Sequence, residues 1–197
     1  VTEIPLFPVS AVLLPHGRMP LQIFEQRYIE LVRDCMRSDR GFGLIWIRKG
    51  SEIIVPGGGS IELAENGCYA RITDFDQLPN GLLGVTIEGQ QRFELDDVHT
   101  RDNGLVMGQV DMECPPLAEP MISDWDSMSE VLQSLLTHPH VQRMQLDIDV
   151  EDAWQVGYQL GQLLPLEEAL KYQLLCAPTV TDLMAELELI LNELGSV

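Results

Sequence analysis

Residues able to do covalent or acid–base chemistry are few and scattered in this sequence. Only two lysines occur, Lys49 and Lys171. A desolvated lysine beside a serine can activate the hydroxyl as a nucleophile. Lys171, however, sits among Ala169, Leu170 and Tyr172, with no serine near it in sequence. Lys49-Gly50-Ser51 holds the residue types of a phosphate-binding loop, but in the wrong order and after a strand-like run. The histidines are His16, His99, His138 and His140, and His138-Pro139-His140 is the only close pair. Two histidines one residue apart can chelate zinc when a strand holds them. Here the proline puts them at a helix end, so they read as a solvated pair. Asp96–Asp97, Glu151–Asp152 and Glu167–Glu168 are the carboxylate pairs. They read as solvated strand edges and helix N-termini, where negative charge is favoured. Cys35, Cys68, Cys114 and Cys176 are widely spaced, with no CxxC, and read as buried free thiols of a cytoplasmic protein. The expectation is no catalytic set, no metal and no cofactor.

The elements around these residues fall into two halves, 1–116 and 117–197, divided by the proline-rich CPPLAEP at 114–120. The first half opens with short apolar segments cut by Pro5, Pro8 and Pro15, which suits folded protein better than a signal peptide. Phe24, Tyr28, Leu31, Val32, Cys35 and Met36 recur at helical spacing, with Gly41 placed to supply a left-handed cap. The run 42–48 is a buried strand, and Gly57–Gly59 a mobile loop tip. CYARITDFD alternates, Leu78–Gly81 turns, and LLGVTIEG, QQRFELDDV and LVMGQVDME continue as short strands. An antiparallel sheet or partly closed barrel follows.

The second half changes period. Stripes containing Leu132 and Leu136, Val156 and Leu160, Leu170 and Leu174, and Leu187 and Ile190 predict four helices. His138-Pro139, Pro165, Pro178 and Gly195 mark their ends, and Thr179 or Thr181 caps the last. None can bury its stripe alone, so they must bundle. The class is α+β, strands with one helix and then helices.

The net charge is −19. Residues 1–116 carry 17 acidic and 10 basic side chains, and residues 117–197 carry 14 and 2. Both halves would repel a phosphate backbone, so nucleic acid is not expected as a partner. No apolar run is long enough to span a membrane.

IPLFPVSAVLLPHGRMPLQIFEQRYIELVRDCM resembles the entrance of the Lon protease N-terminal (substrate-binding) domain family. That entrance has a P-L-F-P segment, an apolar stretch to P-G, then L-P-L and I-F-E-x-R-Y. Here these are Pro5–Pro8, Val12–Gly17, Met19–Leu21 and Ile23–Tyr28. His16 separates Pro15 from Gly17, and Met19 stands for the usual Leu. Gly67, Ala70, Ile72, Val85, Gly89, Arg92 and Phe93 match the family's hairpin pattern. LGQLLPLEEALKYQLLCAPTVTDLMAELELIL is similar to its closing helices. The resemblance runs over nearly the whole chain.

It implies an N-terminal PUA-like antiparallel β-barrel with one helix, followed by a C-terminal helical bundle. It further implies a stand-alone, non-catalytic, cytoplasmic polypeptide-binding module without the ATPase and peptidase domains, linked to protein quality control or degradation. Its partners would be polypeptide substrates or a full-length Lon-type protease, with weak homo-oligomerisation open. A regulatory or assembly role toward that protease is the alternative, and a PUA-like RNA binder a more distant one. Candidate peptide-binding residues are Phe7, Phe24, Glu25, Arg27 and Tyr28. Glu25 and Arg27 either fix the helix by ion pairing or line a recognition cleft. The three aromatics are either core and barrel-rim residues or an exposed peptide-binding cluster.

Overall fold

A computed structural model describes residues 1–50, 52 and 61–195; the expected glycine loop tip at Gly57–Gly59 lies outside them. Two compact units form, Val1–Leu13 with Met19–Pro115, and Leu14–Arg18 with Pro116–Val197. The first is a sheet with one helix and the second a group of helices, as the α+β reading required.

In the first unit, strands β1 (Thr2–Val9), β2 (Arg18–Ile23), β3 (Phe42–Lys49), β4 (Glu62–Gln77), β5 (Leu83–Thr100) and β6 (Val106–Met112) form one sheet in the order β2-β5-β4-β3-β1-β6. β5 also pairs with β6, so five strands close into a ring and β2 stands outside it beside β5. The stretches expected as separate strands around 82–98 are one strand of 18 residues. Its length is what closes the ring. Leu83 to Glu94 pairs with β4, and Phe93 to Thr100 pairs with β6. Register shifts at Tyr69/Ala70, Ile72/Asp74 and Leu95/Asp97 bend these long strands, as bulges do.

β1 pairs in parallel with β3 (Leu6 opposite Gly43) and antiparallel with β6 (Ile4 opposite Gly108). Both β1 and β3 are buried on two faces, which is why they read as near-continuous apolar runs. On one face Leu6 and Phe93, fully buried, fill the space beside three glycines. A Cβ at Gly67 would come within 2.3 Å of the Phe93 ring, and at Gly43 or Gly108 within 2.7–2.8 Å of Leu6. On the other face lie Phe7, Val9, Phe42, Leu44, Ala70 and Ile87, covered by Tyr28, Leu31, Val32 and Cys35 of helix α1 (Gln26–Ser38).

α1 ends at Ser38, within the expected stretch, but its left-handed cap lies two residues before Gly41. Asp39 takes the left-handed conformation (φ 52), and its N–H and that of Arg40 both donate to the Cys35 carbonyl. Aspartate tolerates this region through local hydrogen bonding. Asp39 is further tied to Arg71 by an ion pair. Gly41 is needed for another reason: a Cβ there would lie 2.0 Å from the Ala70 carbonyl oxygen. Its N–H donates to the Tyr69 hydroxyl at 2.6 Å.

The second unit holds α2 (Asp126–Leu136), α3 (Pro139–Arg143), α4 (Ala153–Leu163), α5 (Glu168–Leu175) and α6 (Val180–Leu194); α2, α5 and α6 pack against α4, which is buried on nearly every side. α3 was not expected. Pro139 ends α2 and also starts α3, because its preset φ and missing N–H suit a first helical position. Asp152, expected in solvent, is buried. Its carboxylate caps α4 by accepting from the Trp154 N–H and also accepts from the Glu119 N–H, both at 3.2 Å. Leu14–Arg18 joins this unit through polar contacts. The Leu14 N–H donates to Gln162 Oε1 at 2.9 Å, and Arg18 donates to the Met144 carbonyl at 2.7 Å. Thr179, of the two threonines considered, caps α6 by accepting from the Asp182 N–H. No helix among the described residues is long and apolar enough to cross a membrane.

Cys35 and Cys68 are buried as expected, but Cys114 and Cys176 are exposed, because the apolar neighbours in sequence do not enclose them. Burial pushes the Cys35 thiol up to about 11 and the Cys68 thiol up to about 12. Thiolate-selective labelling of the native protein near neutral pH therefore marks Cys114 and Cys176 quickly, and the other two only in denaturant. Mass mapping of the labelled peptides reads this directly. Gly41→Ala lowers unfolding free energy by about 1–3 kcal/mol, measured by urea denaturation, because backbone on β4 must move.

Candidate functional site

An apolar cleft of about 480 Å³ opens in the first unit where β1 ends beside β2 and the start of α1. Phe7, Pro8 and Val9 form one wall, and Met19–Gln22 of β2 the other. Phe24, Glu25 and Tyr28 close one end, with Ala11 and Glu52 completing the lining. The chain reaches this arrangement through the residue preceding α1. Glu25 holds extended backbone at the N-cap (φ −80, ψ 136), so Phe24 is turned outward while Tyr28, one turn on, is turned in. Phe24 is 55% exposed, an unusual position for a large aromatic. Tyr28 is buried, its ring stacked on Phe7 with centroids 4.0 Å apart.

The five sequence candidates are therefore neighbours but not equivalent. Phe7, Phe24, Glu25 and Tyr28 line the cleft. Arg27 does not; it lies behind the wall, only 7% exposed. Its Nε donates to Glu25 Oε2 at 2.9 Å and its Nη1 to the Gly104 carbonyl at 2.7 Å. Its guanidinium also lies 4.6 Å from the centre of the Tyr28 ring. One buried cation thus joins the turn after β5, the carboxylate at the cleft mouth and the ring in its floor. The ion pair weighed for these two residues forms, and Glu25 also lines the cleft while Arg27 does not.

Sequence reasoning did not single out Met19–Gln22 as lining residues. Pro20 held a signal. It cannot donate to a sheet ladder, and a proline inside an apolar run marks an edge strand. β2 is the end strand of the order, with β5 as its strand neighbour. Glu52 gave no signal, since only the tertiary fold brings it beside Ser10, whose N–H donates to its carboxylate.

Elsewhere the expected chemistry finds no convergence. Among the described residues no three His, Cys, Asp or Glu side chains gather as a metal site. Lys49 is 79% exposed and pairs with Glu62 at 3.3 Å, so it is not a desolvated base. His138 accepts from the His140 N–H and caps α3.

Fold and cleft together define a mixed α+β protein that presents an apolar groove beside an edge strand. The chain belongs to the ATP-dependent protease La (LON) substrate-binding domain family, whose profile matches residues 3–193. The match leaves only the terminal residues, too few for an ATPase or peptidase domain within this sequence. It is 34% identical to the Lon N-terminal domain protein from Xanthomonas campestris, covering 98% of both chains with a TM-score of 0.72. The N-terminal domain of the Mycobacterium avium complex Lon protease shares the fold at 18% identity, covering 93% of this chain and 95% of that one, with a TM-score of 0.59. The Lon protease of Xanthomonas oryzae pv. oryzae is 26% identical over 121 residues, 61% of this chain and 14% of that protein. Lon protease 2 of Myxococcus xanthus is 27% identical over 93 residues, 47% of this chain and 11% of that protein. The chain thus corresponds to a small part of these proteases.

Tyr28 offers a direct probe of the cleft floor. Burial pushes its phenol up to about 12, with Arg27 pulling the other way and Glu25 and Glu52 adding to the rise. The folded state therefore holds a proton that the unfolded chain releases near 10. The stabilisation from the neutral phenol is complete below pH 10 and is lost as pH rises toward 12. Ultraviolet titration of the native protein should show Tyr28 ionising late, and Tyr28→Phe should lower the late amplitude by one tyrosine.

Proposed function

We propose that this chain is a non-catalytic polypeptide-binding module that takes an unfolded segment along β2, with side chains entering the adjoining cleft. The observation that carries the reading is the placement of the half-exposed Phe24 at an apolar cleft beside an edge strand, in a chain of a substrate-binding domain family. An edge strand offers backbone donors and acceptors to any extended peptide, independent of its sequence. The cleft adds selectivity, because it is apolar and large enough for one or two side chains. Stacking of Phe7 on Tyr28 and the Arg27 anchor keep the floor formed before a ligand arrives, which lowers the ordering cost of binding. Folded proteins seldom expose such segments, so a site of this kind selects unfolded chains and suits protein quality control or degradation.

Fluorescence anisotropy with a reduced and alkylated model protein that cannot refold tests this. Saturable binding in the micromolar range is expected, with no binding of the same protein in its native form. Phe24→Ala should weaken it by at least about fivefold, as truncating an interface anchor does. Unfolding free energy should change by less than about 0.5 kcal/mol, because the side chain is mostly in solvent. Absence of saturable binding, or a Phe24→Ala protein that binds like the parent, would sink the reading.

A further inference from the structure

We infer that the cleft selects apolar segments flanked by lysine or arginine; this rests on the polypeptide-binding reading above. Its walls are apolar, but its ionisable lining is of one sign. Among the described residues Glu25 and Glu52 line it, and no lysine or arginine does. Arg27 is committed behind the wall to Glu25, the Gly104 carbonyl and the Tyr28 ring. It engages only Oε2 of Glu25, whose side chain remains 26% exposed. Glu52 is exposed and takes a single N–H, from Ser10.

A segment with an apolar residue beside a basic one matches this arrangement. The apolar side chain occupies the space between Phe7 and Leu21, and the cation meets the carboxylates. The aliphatic stem of lysine or arginine can lie along an apolar wall while its charged head stays hydrated. An acidic segment would bring like charges together at the mouth. A second copy of the chain is disfavoured at long range by its own net charge of −19.

The test uses the whole chain and three labelled peptides that share one phenylalanine–leucine core, flanked by lysine, glutamine or glutamate. Affinity should fall in that order by roughly threefold to fivefold per step at low salt, the range of exposed ion pairs. The spread should narrow as salt screens it. Glu52→Gln should compress the ranking. Glu25→Gln should do the same, but it removes a partner of the buried Arg27. Glu52→Gln, an exposed change, therefore keeps the test decisive if the Glu25 variant unfolds. Equal affinities, or a ranking unaltered by Glu52→Gln, would overturn the inference. If the unfolded model protein saturates while the peptides are unranked, only the charge preference falls. If neither the protein nor any peptide saturates, the polypeptide-binding reading falls and takes this inference with it. Sedimentation of the chain alone completes the design: a concentration-dependent dimer abolished by Phe24→Ala would put a second copy in the cleft and overturn the proposal.

Discussion

The stack of Phe7 on Tyr28 ties the sheet to its one helix, and the cleft depends on it. Phe7 comes from β1, the strand that pairs with both β3 and β6 and so sits within the ring. Tyr28 comes from the first turn of α1. Their rings, 4.0 Å apart, fix where that turn sits on the sheet. The position of Glu25 and the outward aim of Phe24 follow from it, since both are only a few residues away. Phe42 extends the aromatic cluster, its ring 5.8 Å from Phe7. Arg27 then locks the arrangement from the far side by bonding the Gly104 carbonyl in the turn between β5 and β6. A buried guanidinium is costly unless its donors are used, so this contact also fixes that turn.

The ring itself is limited by volume. Leu6 and Phe93 fill its inner space so fully that Gly43, Gly67 and Gly108 have no room for a methyl group. Interiors packed this tightly do not deform gradually. β2 is excluded from the ring, because β5 and β6 complete the closure without it. That exclusion leaves an edge strand at the cleft. Closing the ring and leaving β2 at the end of the strand order are consequences of one fact, the length of β5.

Much of this was legible in the sequence where a single local rule governs. The periodicity of Tyr28, Leu31, Val32 and Cys35 defined α1, and the closing helices followed from leucine stripes and proline stops. Where two rules compete, the reading strayed. The glycine at 41 suggested a helix cap, yet close approach to Ala70 explains it and Asp39 does the capping. Pro139 was read only as a stop, although the same ring geometry starts α3. Asp152 stands at a helix N-terminus as the reading allowed, but buried and not solvated, because the N–H groups of Trp154 and Glu119 repay its burial. Of the site, the I-F-E-x-R-Y segment was visible and the opposite wall was not. Which residues of β2 face Phe7 depends on pairing between distant strands, and local pattern carries no information about that.

The ionisable groups that line the cleft are each tied into the fold. Tyr28 keeps its proton far above neutral pH, because burial penalises the phenolate. Glu25 is held by a buried arginine, and Glu52 by a backbone N–H. None of the three is arranged as a nucleophile with a base at its side, the pairing that covalent catalysis needs. The two carboxylates stand at an otherwise apolar groove. Such a site gains affinity from desolvating an apolar side chain, and gains discrimination from the sign of the charges next to it. The two contributions respond differently to salt, so their separation is a physical property of the site and not a matter of the partner's identity.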